Sequence, residues 1–199
     1  RARGRVLVAT FSSLGTRLYS LTKIAQKLGK KIVVSGRSMK TMFAILRKIN
    51  YIDARDDLFI DEKVMKKYPD NKLLILATGT QGEELSALAR ISRNEHRTIR
   101  IKKGDTVILS SSVIPGNDVA VQHLLDDLLR LGARLFHVAF MDVHTSGHGN
   151  QGDMKKMYDL IHPKNIAPVH GWPSFREEMN YLLGKWGMDK SRIIMPSTG

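Results

Sequence analysis

The residues best equipped for chemistry lie between His144 and Gly171. His144-Thr145-Ser146-Gly147-His148 sets two imidazoles four positions apart, with hydroxyls and a glycine between them. Pro168-Val169-His170-Gly171 follows after a helix-like run. Neutral imidazole is the commonest metal ligand, and its proton affinity suits acid–base work near neutrality. A lone loop histidine is ordinarily an exposed side chain. This trio weighs more, because its loops follow apolar runs ending in turn residues, as site loops in α/β folds do. The first pair can grip a phosphate or protonate a leaving oxygen. His170 sits where a metal ligand at the carboxyl edge of a sheet would sit. One histidine cannot hold a catalytic zinc, which takes about three protein ligands. No His-x-His or His-x-x-x-Asp-His cluster in the chain supplies the others.

Two further loops carry polar groups. Thr78-Gly79-Thr80-Gln81-Gly82-Glu83 lies between an apolar run and a helix-compatible run. Glycines let a backbone approach a ligand, and N–H groups at a helix start attract phosphate. The loop lacks the Lys of a Walker loop and the spacing of a dinucleotide fingerprint. An ordinary strand-to-helix turn therefore stands beside the phosphate reading. Ser110-Ser111-Ser112 with Ile114-Pro115-Gly116-Asn117 reads first as helix capping, with phosphate binding as the alternative. His96, His123, His137 and His162 read as structural or exposed.

The elements that must position these loops alternate. Arg5–Thr10, Lys31–Val34, Leu73–Ala77, Thr106–Ser111, Arg134–Phe140, Asn165–Val169 and Arg192–Met195 read as strands. Arg97–Lys102 and Thr106–Ser111 flank Lys103-Gly104-Asp105, which suits a hairpin or a crossing between sheets. Arg17–Leu28 and a helix capped by Ser38 carry apolar residues at helical spacing. So do Glu83–Ser92, a helix from Asn117 or Asp118, and Asp153–Ile161. Ser174 and Glu177 make a capping box for a final helix. This is an α/β pattern with a mostly parallel sheet flanked by helices.

Composition narrows the function. The chain has 199 residues, 42% hydrophobic and no cysteine. Thiolate metal sites and disulfides are therefore excluded, and the chain fits a reducing cytoplasmic compartment. No apolar run reaches the roughly 18 residues that a membrane span takes. Of the net charge of +13, most lies in residues 1–60, which hold 13 Lys/Arg against 3 Asp/Glu. Such an uneven basic field suits a polyanion, nucleic acid first. The chain opens on Arg and stops soon after an apolar run, so it reads as a piece of a longer protein.

In this order the motifs resemble the β-CASP subgroup of the metallo-β-lactamase-fold nucleases, most closely its ribonuclease J branch. The matching stretches are Ala9-Thr10-Phe11-Ser12-Ser13, Thr78–Glu83, Gly104–Ser110, Ile114–Asn117, His144–His148 and Pro168–Gly171. The resemblance implies a β-CASP domain over 1–138 and, over 139–199, the C-terminal segment of a metallo-β-lactamase αββα fold. It implies an RNA-degrading enzyme acting from the 5′ end toward the 3′ end, with internal cleavage in some members. It implies a two-metal centre, usually zinc, with manganese or magnesium supporting activity in some cases. By position, His148 matches the residue that contacts the scissile phosphate and assists the leaving group, and His170 matches a metal ligand. His144, Thr145, Ser146 and Gly147 match a phosphate-contacting loop, and Thr80, Gln81 and Gly82 a loop facing the RNA channel. Implied partners are RNA, the missing metallo-β-lactamase half and a second copy in a homo-oligomer.

Two departures matter. Trp172 stands where the family commonly has Glu, and Arg17–Leu28 lacks the acid that related processing nucleases carry. The His-x-His-x-Asp-His motif is absent from these 199 residues. They are therefore expected to bind metal poorly and not to cleave RNA alone. The competing readings are a catalytically dead RNA-binding β-CASP module and a small-molecule metallo-hydrolase. The basic first 60 residues weigh against the latter.

Overall fold

The computed structural model describes residues 2–138, 143, 149–169 and 171–196. The chain divides into two compact units, Arg1–Thr145 and Ser146–Gly199.

The first unit is built on one six-stranded sheet. Its strands are β1 (Val6–Ala9), β2 (Lys31–Ser35), β3 (Phe59–Ile60), β4 (Leu73–Ala77), β5 (Thr106–Leu109) and β6 (Arg134–Phe136). Their order is β3-β2-β4-β1-β5-β6, and every pairing is parallel. The central strands are continuous apolar runs, as strands covered on both faces must be. All five residues of β4 are buried. The helices are α1 (Gly15–Lys27), α2 (Arg37–Lys48), α3 (Ala87–Ser92) and α4 (Asp118–Arg130).

Side-chain alternation assigns each helix to a face. Leu18 and Ala25 of α1 and Met39, Phe43 and Leu46 of α2 pack with Val8, Ile32, Leu74 and Leu76. Leu88 and Ile91 of α3 and Val121, Leu124, Leu125 and Leu128 of α4 pack with Leu7, Val33, Ile75, Val107 and Leu109. The α/β sheet expected from the strand–helix alternation is thus present. Where neighbouring strands send their helices to opposite faces, a crevice opens at their carboxyl ends. That arrangement occurs between β2 and β4, between β4 and β1, and between β1 and β5.

Several local expectations shift; the run Glu83–Ser92, for one, is helical only from Ala87, with Ser86 as its N-cap. Arg97–Lys102 forms no strand, because β5 already has β1 on one side and β6 on the other. No edge of β5 is left for a hairpin partner. The helix expected from Ser38 starts earlier, with Gly36 as its N-cap at φ +102°. The two-residue β3 was not foreseen; it pairs with β2 through Ile32 and Val33.

The second unit holds α5 (Gln151–Ile161) and α6 (Pro173–Lys185). Asn150 and Asp153 form a reciprocal capping box at the start of α5. Pro173 at the first position of α6 starts that helix after Trp172, so Ser174 lies inside it and makes no cap. Tyr158 of α5 meets Trp186 with ring centroids 5.7 Å apart. The strands expected near residues 165 and 193 reduce to one parallel bridge, Ile166 with Ile193. Among the described residues neither segment has a further strand neighbour to extend that ladder. No described helix is long and apolar enough to cross a membrane.

Candidate functional site

Two of the loops singled out in the sequence, Thr78–Glu83 and Ser110–Asn117, leave the carboxyl ends of β4 and β5, and β1 lies between those strands in the sheet. The loop after β4 is held from within. Gln81 is 4% exposed. Its amide donates to the Ser112 carbonyl at 2.9 Å, and its Oε1 accepts from the Ile114 N–H at 2.8 Å. Asn117 Nδ2 also donates to that oxygen, at 3.4 Å. One side chain thus bridges the β4 and β5 loops. Thr80 is buried beside it. Gly82, at φ +74°, has no room for a Cβ, which would lie 2.7 Å from the Ala120 carbonyl. The loop therefore presses directly on α4. These side chains shape the loop, and Glu83 closes it by accepting from the Gln81 N–H at 3.0 Å.

A second clamp joins β1 to β5. Arg17, in the first turn of α1, donates to the Ser110 carbonyl at 2.6 Å and to the Thr10 hydroxyl at 3.3 Å. A cation is disfavoured at a helix N-terminus, where the dipole is positive. A cation at that position is a sequence signal for a tertiary partner. The same helix contains no acid, as its sequence requires.

Ser110 Oγ in turn donates to the carbonyl of Val143 at 2.8 Å. The residue immediately before His144 is thereby tied to the carboxyl end of β5. His144, Thr145, Ser146, Gly147, His148 and His170 lie outside the described residues. Trp172 is exposed. Among the described residues no group of three or more His, Cys, Asp or Glu side chains is placed to hold a metal. The described residues therefore do not form a metal centre.

One histidine read as structural or exposed belongs to a built environment. His96 is buried. Its Nδ1 faces the Ile99 N–H at 3.2 Å and the Thr98 N–H at 3.4 Å. Backbone N–H groups only donate, so Nδ1 accepts and the proton sits on Nε2, which donates to Ser35 Oγ at 3.0 Å. Burial holds this imidazole below its ordinary 6.5; Glu62 opposes the shift, while Arg90, Arg100 and Lys40 add to it. Burial lowers His137 as well. A folded-state value below the unfolded one means that the unfolded chain binds protons more readily. Stability is then full above about pH 6.5 and declines as pH falls below it. Urea midpoints at pH 7.5 and 5.5 should show that decline, and His96→Gln should reduce it. A slope unchanged by His96→Gln refutes the assignment.

The family described as "Ribonuclease J, beta-CASP domain" matches residues 3–128, and "Zn-dependent metallo-hydrolase RNA specificity domain" matches residues 138–183. The chain is 38% identical over 199 residues to a ribonuclease J of Synechocystis, covering all of this chain and 31% of that relative. It is 35% identical over 198 residues to ribonuclease J2 of Bacillus subtilis, covering 36% of it. A Helicobacter pylori ribonuclease J is 44% identical over 170 residues, covering 85% of this chain and 25% of the relative. The chain thus spans about a third or less of these relatives' length.

Proposed function

Because this chain belongs to the ribonuclease J β-CASP family, we propose that it supplies the β-CASP wall and the closing metallo-β-lactamase segment of a metal-dependent ribonuclease. The observation that carries the reading is the carboxyl edge of the first unit's sheet. There Arg17, Gln81 and Ser110 lock three loops together, and Ser110 anchors the chain one residue before His144. A preorganised polar edge of this kind positions phosphates without reorganising when substrate arrives.

In this proposal His144, Thr145, Ser146 and Gly147 contact an RNA phosphate. His148 passes a proton to the leaving oxygen, and His170 is one ligand of a zinc centre, with manganese or magnesium as substitutes. Thr80, Gln81 and Gly82 hold the shape of the loop that faces the RNA. The boundary near residue 138 separates β-CASP from metallo-β-lactamase sequence. The complete protein acts in the cytoplasm, from the 5′ end of RNA and at internal sites, as a homo-oligomer. The second unit exposes Leu160, Val169, Trp172 and Phe175 at 65–70% of their surface. The rest of the metallo-β-lactamase domain is the partner proposed to cover them.

The test uses the complete protein and a 5′-phosphorylated RNA. Metal-dependent hydrolysis that stops with chelator is expected, whereas residues 1–199 alone should leave the RNA intact. RNA affinity should fall steeply with salt, by a slope of about −0.7 per phosphate contacted on a single strand. Binding by the complete protein without hydrolysis would make it an RNA-binding module, and a flat salt response would remove RNA from the basic unit.

A further inference from the structure

The stretches Ala9–Ser13, Thr78–Glu83 and Ile114–Asn117 lie at or beyond the carboxyl ends of β1, β4 and β5. A second crevice opens at the same edge of the sheet, between β2 and β4, and none of those stretches explains its basic lining. β2 leads into α2 on one face, and β4 leads toward α3 on the other. Parallel α/β sheets characteristically receive ligands in a crevice of this type. The crevice is a cavity of about 920 Å³ lined by Gly36, Arg37, Lys40, Thr78, Arg90 and Arg97, with Glu62 and His96 in its wall. That volume lies within the range of small-ligand sites.

Its charge is one-sided. Four cations face one carboxylate, and that carboxylate is engaged: Glu62 accepts from Lys40 at 3.0 Å and from the Thr98 hydroxyl at 2.9 Å. Arg37, Arg90 and Arg97 form no ion pair among the described residues. Arg90 is half-buried as well. A guanidinium drawn partly out of water without a counter-charge is costly, and an anion offsets that cost. The first turn of α2 adds to the field. It has neither a side-chain cap nor an acidic residue, so its leading N–H groups remain available. Gly36 at φ +102° holds the backbone close to Thr78, where a Cβ would lie 2.5 Å from the hydroxyl.

We infer that the β2–β4 crevice is a second phosphate-binding site, taking the phosphoryl group of a nucleotide through Arg37, Arg90, Arg97 and the first turn of α2. The nucleotide is either free or one unit of an RNA strand. The inference extends the nuclease reading, but it does not require hydrolysis.

The experiment titrates the complete protein, held in chelator, with inorganic phosphate, with adenosine 5′-monophosphate and with a 12-nucleotide RNA. Two variants probe the crevice. Ser38→Glu puts a carboxylate in the first turn of α2, which favours the helix while repelling an anion. Arg90→Gln removes the half-buried charge. Each should weaken a phosphate- or nucleotide-binding component by about tenfold, the scale of one charge-assisted contact. Thermal midpoints should not fall, and His148→Ala should retain that component. If the same variants weaken RNA binding and flatten its salt dependence, the site belongs to the RNA path. If RNA binding is unchanged while the mononucleotide component is lost, the occupant is a free nucleotide. Folded variants that bind all three probes as the parent does overturn the inference, whatever the protein does to RNA. Failure of the metal-replete complete protein to hydrolyse RNA, with the crevice component intact in chelator, overturns the nuclease reading alone.

Discussion

Asp105→Ala should lower the stability of the first unit by about 3–5 kcal/mol, the usual effect of stranding one member of a buried ion pair. Arg5 and Asp105 are 2% and 1% exposed. The carboxylate accepts from Arg5 Nε at 3.1 and 3.2 Å, from Arg5 Nη2, and from the backbone N–H groups of Arg5 and Lys102 at 3.2 and 2.9 Å. Arg5 also donates to the carbonyl of Arg100. The pair therefore joins the amino ends of β1 and β5 to the segment that precedes β5. Truncation leaves a buried guanidinium and two backbone donors without their acceptor. The backbone has little room to compensate, since a Cβ on Gly4 would already lie 2.7 Å from the Gly104 carbonyl. Urea unfolding followed by far-ultraviolet circular dichroism measures the loss. The double replacement Arg5→Met with Asp105→Leu should recover much of it, because neither charge is then buried alone. A loss below about 1 kcal/mol for Asp105→Ala would show that the pair is compensated by something other than its own contacts.

The sheet was legible in the sequence because its strands are short apolar runs bounded by turn residues. Leu73–Ala77 was read to the residue, and Lys31–Val34 fell one residue short of the observed β2. What escaped was whatever depends on strand order. Arg97–Lys102 has strand-like alternation, and only the positions of β1 and β6 on either side of β5 rule out its pairing there. β3 is two half-buried residues with no local signal, ordered by the neighbouring β2. The boundaries of α2 and α6 moved because Gly36 and Pro173 set where those helices begin, ahead of the serines read as caps.

The candidate site was legible by residue type and much less by contact. The glycines of the β4 loop were recognised, and Gly79 and Gly82 do take positive φ there. The work of Gln81 was not visible, since its partners Ser112 and Ile114 lie more than thirty positions away. The β2–β4 crevice was invisible for the same reason. Its lining comes from residues 36–41, from Glu62 and from residues 78–97. The order β2-β4 in the sheet is what makes them neighbours. The excess of cations in the first 60 residues had signalled a polyanion, and Arg37 and Lys40 put part of that excess in a cavity.

His148→Ala in the complete protein should reduce turnover by about 10²–10⁴-fold, the range attributable to a positioned general acid or base. The departing ribose oxygen of a phosphodiester leaves poorly as an alkoxide, so a proton delivered to it lowers the barrier directly. An imidazole delivers that proton only while protonated. Metal content should be unchanged in His148→Ala and reduced in His170→Ala, as measured by elemental analysis of the purified proteins. That contrast separates a proton-transfer role from a ligand role and from simple misfolding, which would lower metal content in both. Single-turnover cleavage by His148→Ala at the parent rate would exclude His148 as the proton donor and leave His144 as the nearest imidazole in the sequence to take that part.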